Sequence, residues 1–549
     1  MAFRVAPQSN IRLLKCPLTI DNKNQLDFST QTAQYNYFHG LPHLDLEDAT
    51  YVRKDEELVF DASYDDVLQY NYLMYQNESF NNKWFYAFIT NKRYLSTDSV
   101  AISFHTDVFQ TWYFDITRKA SFVERYHVGR SSDTIGANTV PEGLETGDYI
   151  VNNYQEISEL KNTKIIVACT CDPYDSSTND HAMTGIYQNI PTGCGYFIFE
   201  KDGNGIDNMR SSLQAITNDT KESSIVGVFL APEILCSPAP TNQQPAPSNR
   251  TFCKKVANSY SVNTFTTTMT NAVSGLNGYV PKNRKLYCYP YCYTLVTNGS
   301  GGSCILKPEL WDSYNSQKWR VYSALTPGCS IIGIPIDYAG RDLSWEDALP
   351  LGKYPQLSYA NDQYINWQTQ NGLNNTMTKI SGIASAIGGA KQVAESLTAG
   401  YASGDWMGAG GDISSGTNQI VGGMWDYANA VQQQILAQEV PPQFSGNANS
   451  GDVWASANMI TYRFNYMSIR AEYARIIDYY FEMFGYKVNK LMVPNIHTRS
   501  NWNYIKTIGC NCTGNVPQED LQEFKNLFDR GFTVWHNPST YLDYSQSNN

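Results

Sequence analysis

Seven histidines, twelve cysteines and a few adjacent carboxylates are the residues of this 549-residue chain whose types suit catalysis or metal binding. Two histidines at i,i+4 on a helix can share a zinc ion, because both imidazoles then face the same way. His39 and His43 have that spacing, but Gly40 and Pro42 stand between them and interrupt the helix such a site needs. Cys169-Thr-Cys171 and Cys510-Asn-Cys512 are too close for an easy mutual disulfide. Neither these pairs nor Cys288 and Cys292 in YCYPYCY come with a C-x-x-C or histidine partner at zinc spacing. Glu56-Glu57 and Asp65-Asp66 have the character of solvated surface or a helix N-terminus. No nucleophile elbow, H-E-x-x-H, Walker loop or dinucleotide fingerprint occurs, and the run Gly408–Gly411 lacks both a preceding strand and the Lys-Ser/Thr of a phosphate loop. The motifs predict no catalytic residue, no metal site and no cofactor.

The chemistry this chain does suggest is that of surfaces. Gly372–Ala437 holds twelve glycines and six charged residues (Lys379, Lys391, Glu395, Asp405, Asp412 and Asp426) in 66 residues. Small, apolar, charge-poor sequence of this kind is neither an ordinary solvated loop nor good core material, and lipid is the solvent that suits it. Its flanks have helical periodicity: Ile380, Ile383, Ala384, Ile387, Ala394 and Leu397 on one side, Ile420, Val421, Met424, Trp425, Ala428, Val431, Ile435 and Leu436 on the other. Between them Gly400–Gly416 carries Trp406, Met407 and Ile413 near a glycine-rich tip. The pattern predicts an amphipathic helical hairpin. Each charge at a bilayer centre costs roughly 2.5–3.5 kcal/mol, so one copy should not insert deeply, whereas several copies on one ring could act together. Protonation of Glu395, Asp405, Asp412 and Asp426 at low pH is expected to ease insertion. A hairpin packed in a core is the alternative reading.

The remainder must carry this segment. A chain of this length predicts several domains. Net charge is −12, with 42% hydrophobic and 13% aromatic residues, 39 of them Tyr. That balance argues against a nucleic-acid grip built from clustered Lys and Arg, while leaving DNA free to slide past an acidic wall. The N-terminus has no apolar signal region, and no window reaches 18 uninterrupted apolar residues, so neither a secretory signal nor an ordinary membrane span is expected.

An α+β, β-rich fold in several parts is expected: 1–150, 151–340, a return segment 341–371, the loop 372–437, and 438–549. In the first, Val100, Ile102, Phe104 and Val108 alternate as in a half-buried strand, Trp84–Thr90 suits a strand buried on both faces, and a turn at Asn91–Ser99 joins them. Ser63 is expected to cap a short helix, with Val67, Leu68 and Tyr72 on one face. In the second, strands are expected at Lys164–Cys169, Gly195–Phe199 and Ile225–Leu230, with a proline-rich loop at 237–248. Near the end, Tyr466–Phe484 predicts a helix packing through Ile469, Tyr473, Ile476, Ile477, Tyr480 and Phe484 and stopped by Gly485. Pro517 opens a second helix with Leu521, Phe524, Leu527 and Phe528 inward, Gly531 ends it, and Phe532–His536 reads as a strand.

The order of landmarks carries a resemblance: Asn82–Thr90, Asp107–Ile116, Glu142-Gly-Leu144, Gly147-Asp-Tyr149, Tyr289–Cys292, the glycine-rich segment closing on Pro441-Pro-Gln443, Ala471-Glu-Tyr473, Gly485-Tyr-Lys487, Pro494-Asn495, Thr498-Arg499, Trp502-Asn-Tyr504, and Asp520–Phe524 through Trp535-His536. The chain resembles the tail-knob, or distal tail tube, proteins of small protein-primed short-tailed phages of Gram-positive hosts. The likeness covers both ends and the centre and is weak over 151–340. It implies barrel- or sandwich-like tube domains in a homohexameric ring at the virion tail tip, assembled in the host cytoplasm. An upstream tail tube or adaptor protein is the implied partner, and DNA is implied to pass through the lumen without specific binding. Loops corresponding to Gly372–Ala437 are implied to plug the channel and then enter the host cytoplasmic membrane as a pore. A receptor-binding adhesin, suggested by the Tyr- and Asn-rich 151–340 region, and a tail-borne cell-wall hydrolase using two separated acids are the rival readings.

Overall fold

The computed structural model describes residues 9–46, 52, 54–77, 80–170, 185–187, 190–209, 225–236, 238–243, 253–256, 263–271, 275–299, 301–325, 329–355, 359–361, 443–445 and 460–549. The chain is β-rich: among the described residues the longer helices are Gln31–His39, Ala471–Phe484 and Gln518–Arg530. It divides into two compact units, one of residues 1–148, 275–291 and 469–549, the other of 149–274 and 292–468. The expected segments overlap these units without coinciding with them. Residues 275–291 group with the chain ends, and 463–468 group with the middle of the chain.

The first unit is built around an antiparallel sheet ordered His43–Leu46, Ser9–Leu14, Tyr72–Asn77, Trp84–Ser96, Ser99–Thr106, Leu58–Asp61. Trp84–Ser96 shows how sequence sets its place. Phe85 and Ala87 face one buried cluster, whereas Tyr86 and Phe88 face another, so apolar residues at every position are what the period-two pleat requires. The expected turn is tighter than predicted: the hairpin continues to Ser96 and reverses over residues 97 and 98. Val108 is not part of that strand. It opens a short helix, Val108–Trp112, which Asp107 caps by accepting from Gln110 N at 3.1 Å. The expected helix after Ser63 is a single turn, Tyr64–Val67, without a Ser63 side-chain cap. Tyr72 belongs to the neighbouring strand, because its ring is needed in the core against Phe38 and Phe88.

A second sheet in this unit joins the two ends of the chain. Asn24–Leu26 runs parallel to Phe532–Trp535, followed by Trp502–Ile508, Ser121–Tyr126 and Tyr486–Met492. The helix Gln518–Arg530 presents Phe524, Leu527 and Phe528 to the core as expected, and Gly531 at φ 84° turns the chain into the final strand. The other long helix is shorter than expected, Ala471–Phe484. Residues 463–469 pair instead as a strand with Cys292–Thr297. Its buried face is Ala474, Ile477, Asp478, Phe481 and Glu482, while Ile476 is 67% exposed. The choice of face is set by polar partners: Asp478 accepts from Tyr279 Oη at 2.6 Å, Lys282 N at 2.8 Å and Asn283 N at 3.0 Å. Four good hydrogen-bond donors to a buried carboxylate, Asn283 Nδ2 at 2.8 Å being the fourth, outweigh one exposed isoleucine.

The second unit contains the three expected strands as neighbours in one sheet, Ile225–Pro232, Thr163–Cys169 and Gly195–Phe199, followed by Cys253–Val256 and Pro238–Gln243. Part of the proline-rich stretch is therefore a strand at the sheet edge, where a missing N–H is tolerated. A further sheet runs Asn263–Thr270, Ser316–Ser323, Ser330–Tyr338, with Leu349–Lys353 also on the last of these. One large buried cluster runs from Ile157 through Trp319 to Tyr466, and a smaller one, from Ile165 to Leu230, lies on the other face of the first of these sheets.

Candidate functional site

Every residue singled out for membrane activity lies outside the described residues: Ile380, Ile383, Ile387, Leu397, Trp406, Met407, Ile413, Ile420, Val421, Met424, Trp425, Val431, Ile435 and Leu436, with the carboxylates Glu395, Asp405, Asp412 and Asp426. The structure describes the root from which that stretch departs. Tyr359–Asn361 pairs antiparallel with Gln443–Ser445, in the register Tyr359 to Ser445, Ala360 to Phe444 and Asn361 to Gln443. This pair brackets residues 362–442.

The described residues nearest this pair on either side, up to 355 and from 460, belong to the core of the second unit. On the way in, Leu349–Lys353 pairs with Ser330–Tyr338, and Tyr354 follows fully buried, its hydroxyl bonded to Ser323 and its ring 5.5 Å from Phe229. Its backbone N donates to Cys329 O at 3.0 Å, and Leu230 N donates to Pro355 O at 2.9 Å. On the way out, Thr461 Oγ1 donates to Ile157 O at 2.8 Å, and Ile157 N donates to Tyr462 O at 3.2 Å. The two flanks meet where Tyr462 Oη donates to Leu349 O at 2.6 Å. Burial pushes the Tyr462 phenol well up, so it stays protonated and remains a donor. Trp319 packs edge-on to Tyr462 at 5.3 Å and to Phe464 at 5.4 Å. Space for the indole exists because residue 333 is glycine: a Cβ there would lie 2.2 Å from Trp319 Nε1 and 2.7 Å from Tyr462 Cζ.

Gly333→Ala is therefore expected to cost about 1–3 kcal/mol by overpacking and to loosen the root. Denaturant unfolding and the near-UV signal of the buried tryptophan check this. Unchanged stability with an unchanged tryptophan spectrum would show that the aromatic clamp is not as tight as its geometry.

Motif reasoning missed Tyr354, Tyr462, Trp319 and Gly333, since aromatic residues outside any motif look alike until strands pair. Among the other chemically capable groups, His39 and His43 have ring centroids 6.3 Å apart, and His43 Nδ1 meets Leu41 O at 2.7 Å. Cys510 and Cys512 sit in the first unit's core. Glu57 is held by Arg93 Nη2, with oxygens at 2.6 and 2.8 Å. His127 is fully buried between Glu482 O at 3.0 Å and Tyr504 N at 2.6 Å. Burial, together with the Arg499 and Arg130 charges, pushes its imidazole down to about 3, which keeps it neutral.

Residues 7–118 match the N-terminus of caudoviral major tail proteins. The β-rich fold with this match defines a structural protein of a phage virion tail. Residues 254–549 match the C-terminal domain of tail knob protein gp9 of Bacillus phage phi29, and the chain belongs to that tail-knob family. Tail knob protein gp9 of Bacillus phage PZA is 27% identical, covering 98% of each chain. That of Bacillus phage phi29 is 26% identical over the same shares. The solved structure of the bacteriophage C1 tail knob protein, gp12, superposes with a TM-score of 0.64 at 12% identity and 98% coverage of both chains, a likeness of fold.

Proposed function

We propose that this tail-knob protein assembles as a homohexameric distal tail tube, joined to an upstream tail protein, through which DNA leaves the virion. Gly372–Ala437 of each copy plugs the channel and afterwards enters the host cytoplasmic membrane as part of a pore. The observation that carries this reading is the root. A charge-poor, glycine-rich segment bracketed by one antiparallel pair, Tyr359–Asn361 with Gln443–Ser445, can change its surroundings without unmaking that pair. Family membership supports the tail location, and the net charge of −12 suits a wall that DNA passes without sticking. Among the described residues no helix is long and apolar enough to cross a membrane, so on this reading insertion belongs to several amphipathic loops acting together.

The experiment compares the full chain with a version in which residues 372–437 are replaced by a short Gly/Ser linker. Negative-stain images should show six-fold rings with a central hole for both. Dye leakage from anionic liposomes should be produced by the full chain, increase as pH is lowered, and vanish in the shortened one. Rings without leakage would sink the membrane role, leakage retained by the shortened chain would place it elsewhere, and a monodisperse monomer would sink the tube.

A further inference from the structure

Asp27, His497 and His536 lie far apart in sequence, and the first unit brings their ligand atoms together within 4.8 Å of one another. Asp27 and His536 each follow the last residue of the parallel strands Asn24–Leu26 and Phe532–Trp535. Leu26 is in register with Trp535, and Asp27 N donates to Trp535 O at 2.8 Å. His497 comes from the connection between Tyr486–Met492 and Trp502–Ile508. Its Nε2 is 2.7 Å from Asp27 Oδ2, and His536 Nδ1 is 3.2 Å from the same oxygen. The two imidazole rings stack at 5.2 Å.

The surrounding hydrogen bonds decide what His536 offers. Asn503 Nδ2 donates to Thr498 Oγ1, whose own proton goes to His127 O, and Asn503 Oδ1 accepts from Arg499 N at 3.1 Å. The amide is thereby oriented with its oxygen toward His536 Nε2, 2.9 Å away, so Nε2 carries the proton. In the neutral ring, Nδ1 then presents a lone pair to the Asp27 carboxylate. Two electron-rich atoms at that distance repel each other unless a cation lies between them. The Asp27 side chain is only 7% exposed, and the Tyr113 phenol lies within hydrogen-bonding reach of its carboxylate.

A ligating histidine whose other nitrogen donates to a fixed oxygen is the usual support of a metal site. We infer that Asp27, His497 and His536 bind one divalent transition-metal ion, with zinc as the fitting probe. Two imidazoles and a carboxylate match its ligand preferences. Bonds of about 2.1 Å require only small side-chain movements from these separations. Solvent reaches the site past His497, which is 49% exposed. The ion ties Asp27 of the chain's first part to two residues of its last, beside the only parallel pairing among the described strands of this unit.

The test uses the untagged full chain, treated with EDTA, dialysed and titrated with zinc by calorimetry. One zinc per chain is expected, with a rise in thermal midpoint that EDTA reverses. His497→Ala, exposed enough to leave the fold intact by circular dichroism, should weaken binding at least about 10-fold, and Asp27→Asn should do the same. No zinc binding, or binding undiminished in both variants, overturns the assignment. Absence of binding in the folded wild type would mean that His536 is an imidazolium paired with Asp27 and nothing more.

Discussion

Gly485→Ala is expected to lower the stability of the first unit by about 3 kcal/mol or more and its thermal midpoint by roughly 10 °C. Gly485 ends the helix Ala471–Phe484 at φ 64°, ψ −156°, a region essentially reserved for glycine, with its N–H donated to Phe481 O at 2.8 Å. Strain alone costs about 1–3 kcal/mol, and sterics add to it. An added Cβ would lie 2.2 Å from Tyr126 O, 2.4 Å from its carbonyl carbon and 2.6 Å from His127 N. These are backbone atoms leading out of a strand with hydrogen-bonded neighbours on both sides, so no side chain can swing away. Gly143 is the internal control: its φ is 74°, but a Cβ there meets nothing within 4 Å. Gly143→Ala should cost about 1 kcal/mol, the price of positive φ by itself. If the two variants melt within a degree or two of each other, the close approach at Tyr126 contributes nothing.

The second large effect is expected from Glu142→Gln, at about 3–5 kcal/mol. The Glu142 side chain is fully buried and ion-paired to both Arg125 and Lys285. Lys285 is 3% exposed at its side chain, and Lys487 N donates to the carboxylate at 2.9 Å. One carboxylate pairs with both cations, so its removal leaves each without its counter-charge. Burial already pulls the Lys285 ammonium down, with Glu142 working against that pull. The variant loses the counterweight. A lysine whose folded pKa is below its unfolded value of 10.5 binds fewer protons in the folded state, so stability rises with pH toward that value. The deficit of Glu142→Gln should therefore be larger at pH 7 than at pH 9, and Glu142→Gln with Lys285→Met should recover part of it. Urea unfolding at the two pH values checks this. A deficit below about 1 kcal/mol, or a double variant no better than the single, would show that the cluster is not held together by charge.

Much of this fold was legible where a local pattern had one physical solution. Trp84–Thr90 could only be a strand covered on both faces, and Pro517 to Gly531 brackets a helix with start, apolar face and stop all in agreement. Legibility failed where partners far along the chain decide. Residues 466–470 continue a helical pattern, yet pairing with Cys292–Thr297 makes them a strand up to Ile469. Ile476 and Ile477 are equally apolar, and only the donors from 279–283 around Asp478 select which one is buried. The glycine-rich segment was conspicuous by composition, whereas its root was not, because Tyr354 and Tyr462 gain meaning only through Leu349 and Ser323. Spacing along a helix singles out His39 and His43 and says nothing about His497 and His536, which only the fold brings together.

The parallel pairing of Asn24–Leu26 with Phe532–Trp535 makes this a protein whose first part must wait. At about 5–20 residues per second of synthesis, the early sheet stands for roughly half a minute or longer before its partner leaves the ribosome. During that interval Phe109, later stacked on Phe524 and edge-on to Phe532, lacks both of these partners. Translation that stops short of the last strand releases a chain with this apolar face open, the kind of surface that chaperones and proteases recognise. The strand Phe532–Trp535 is thus built into the fold as a condition for closing the first unit.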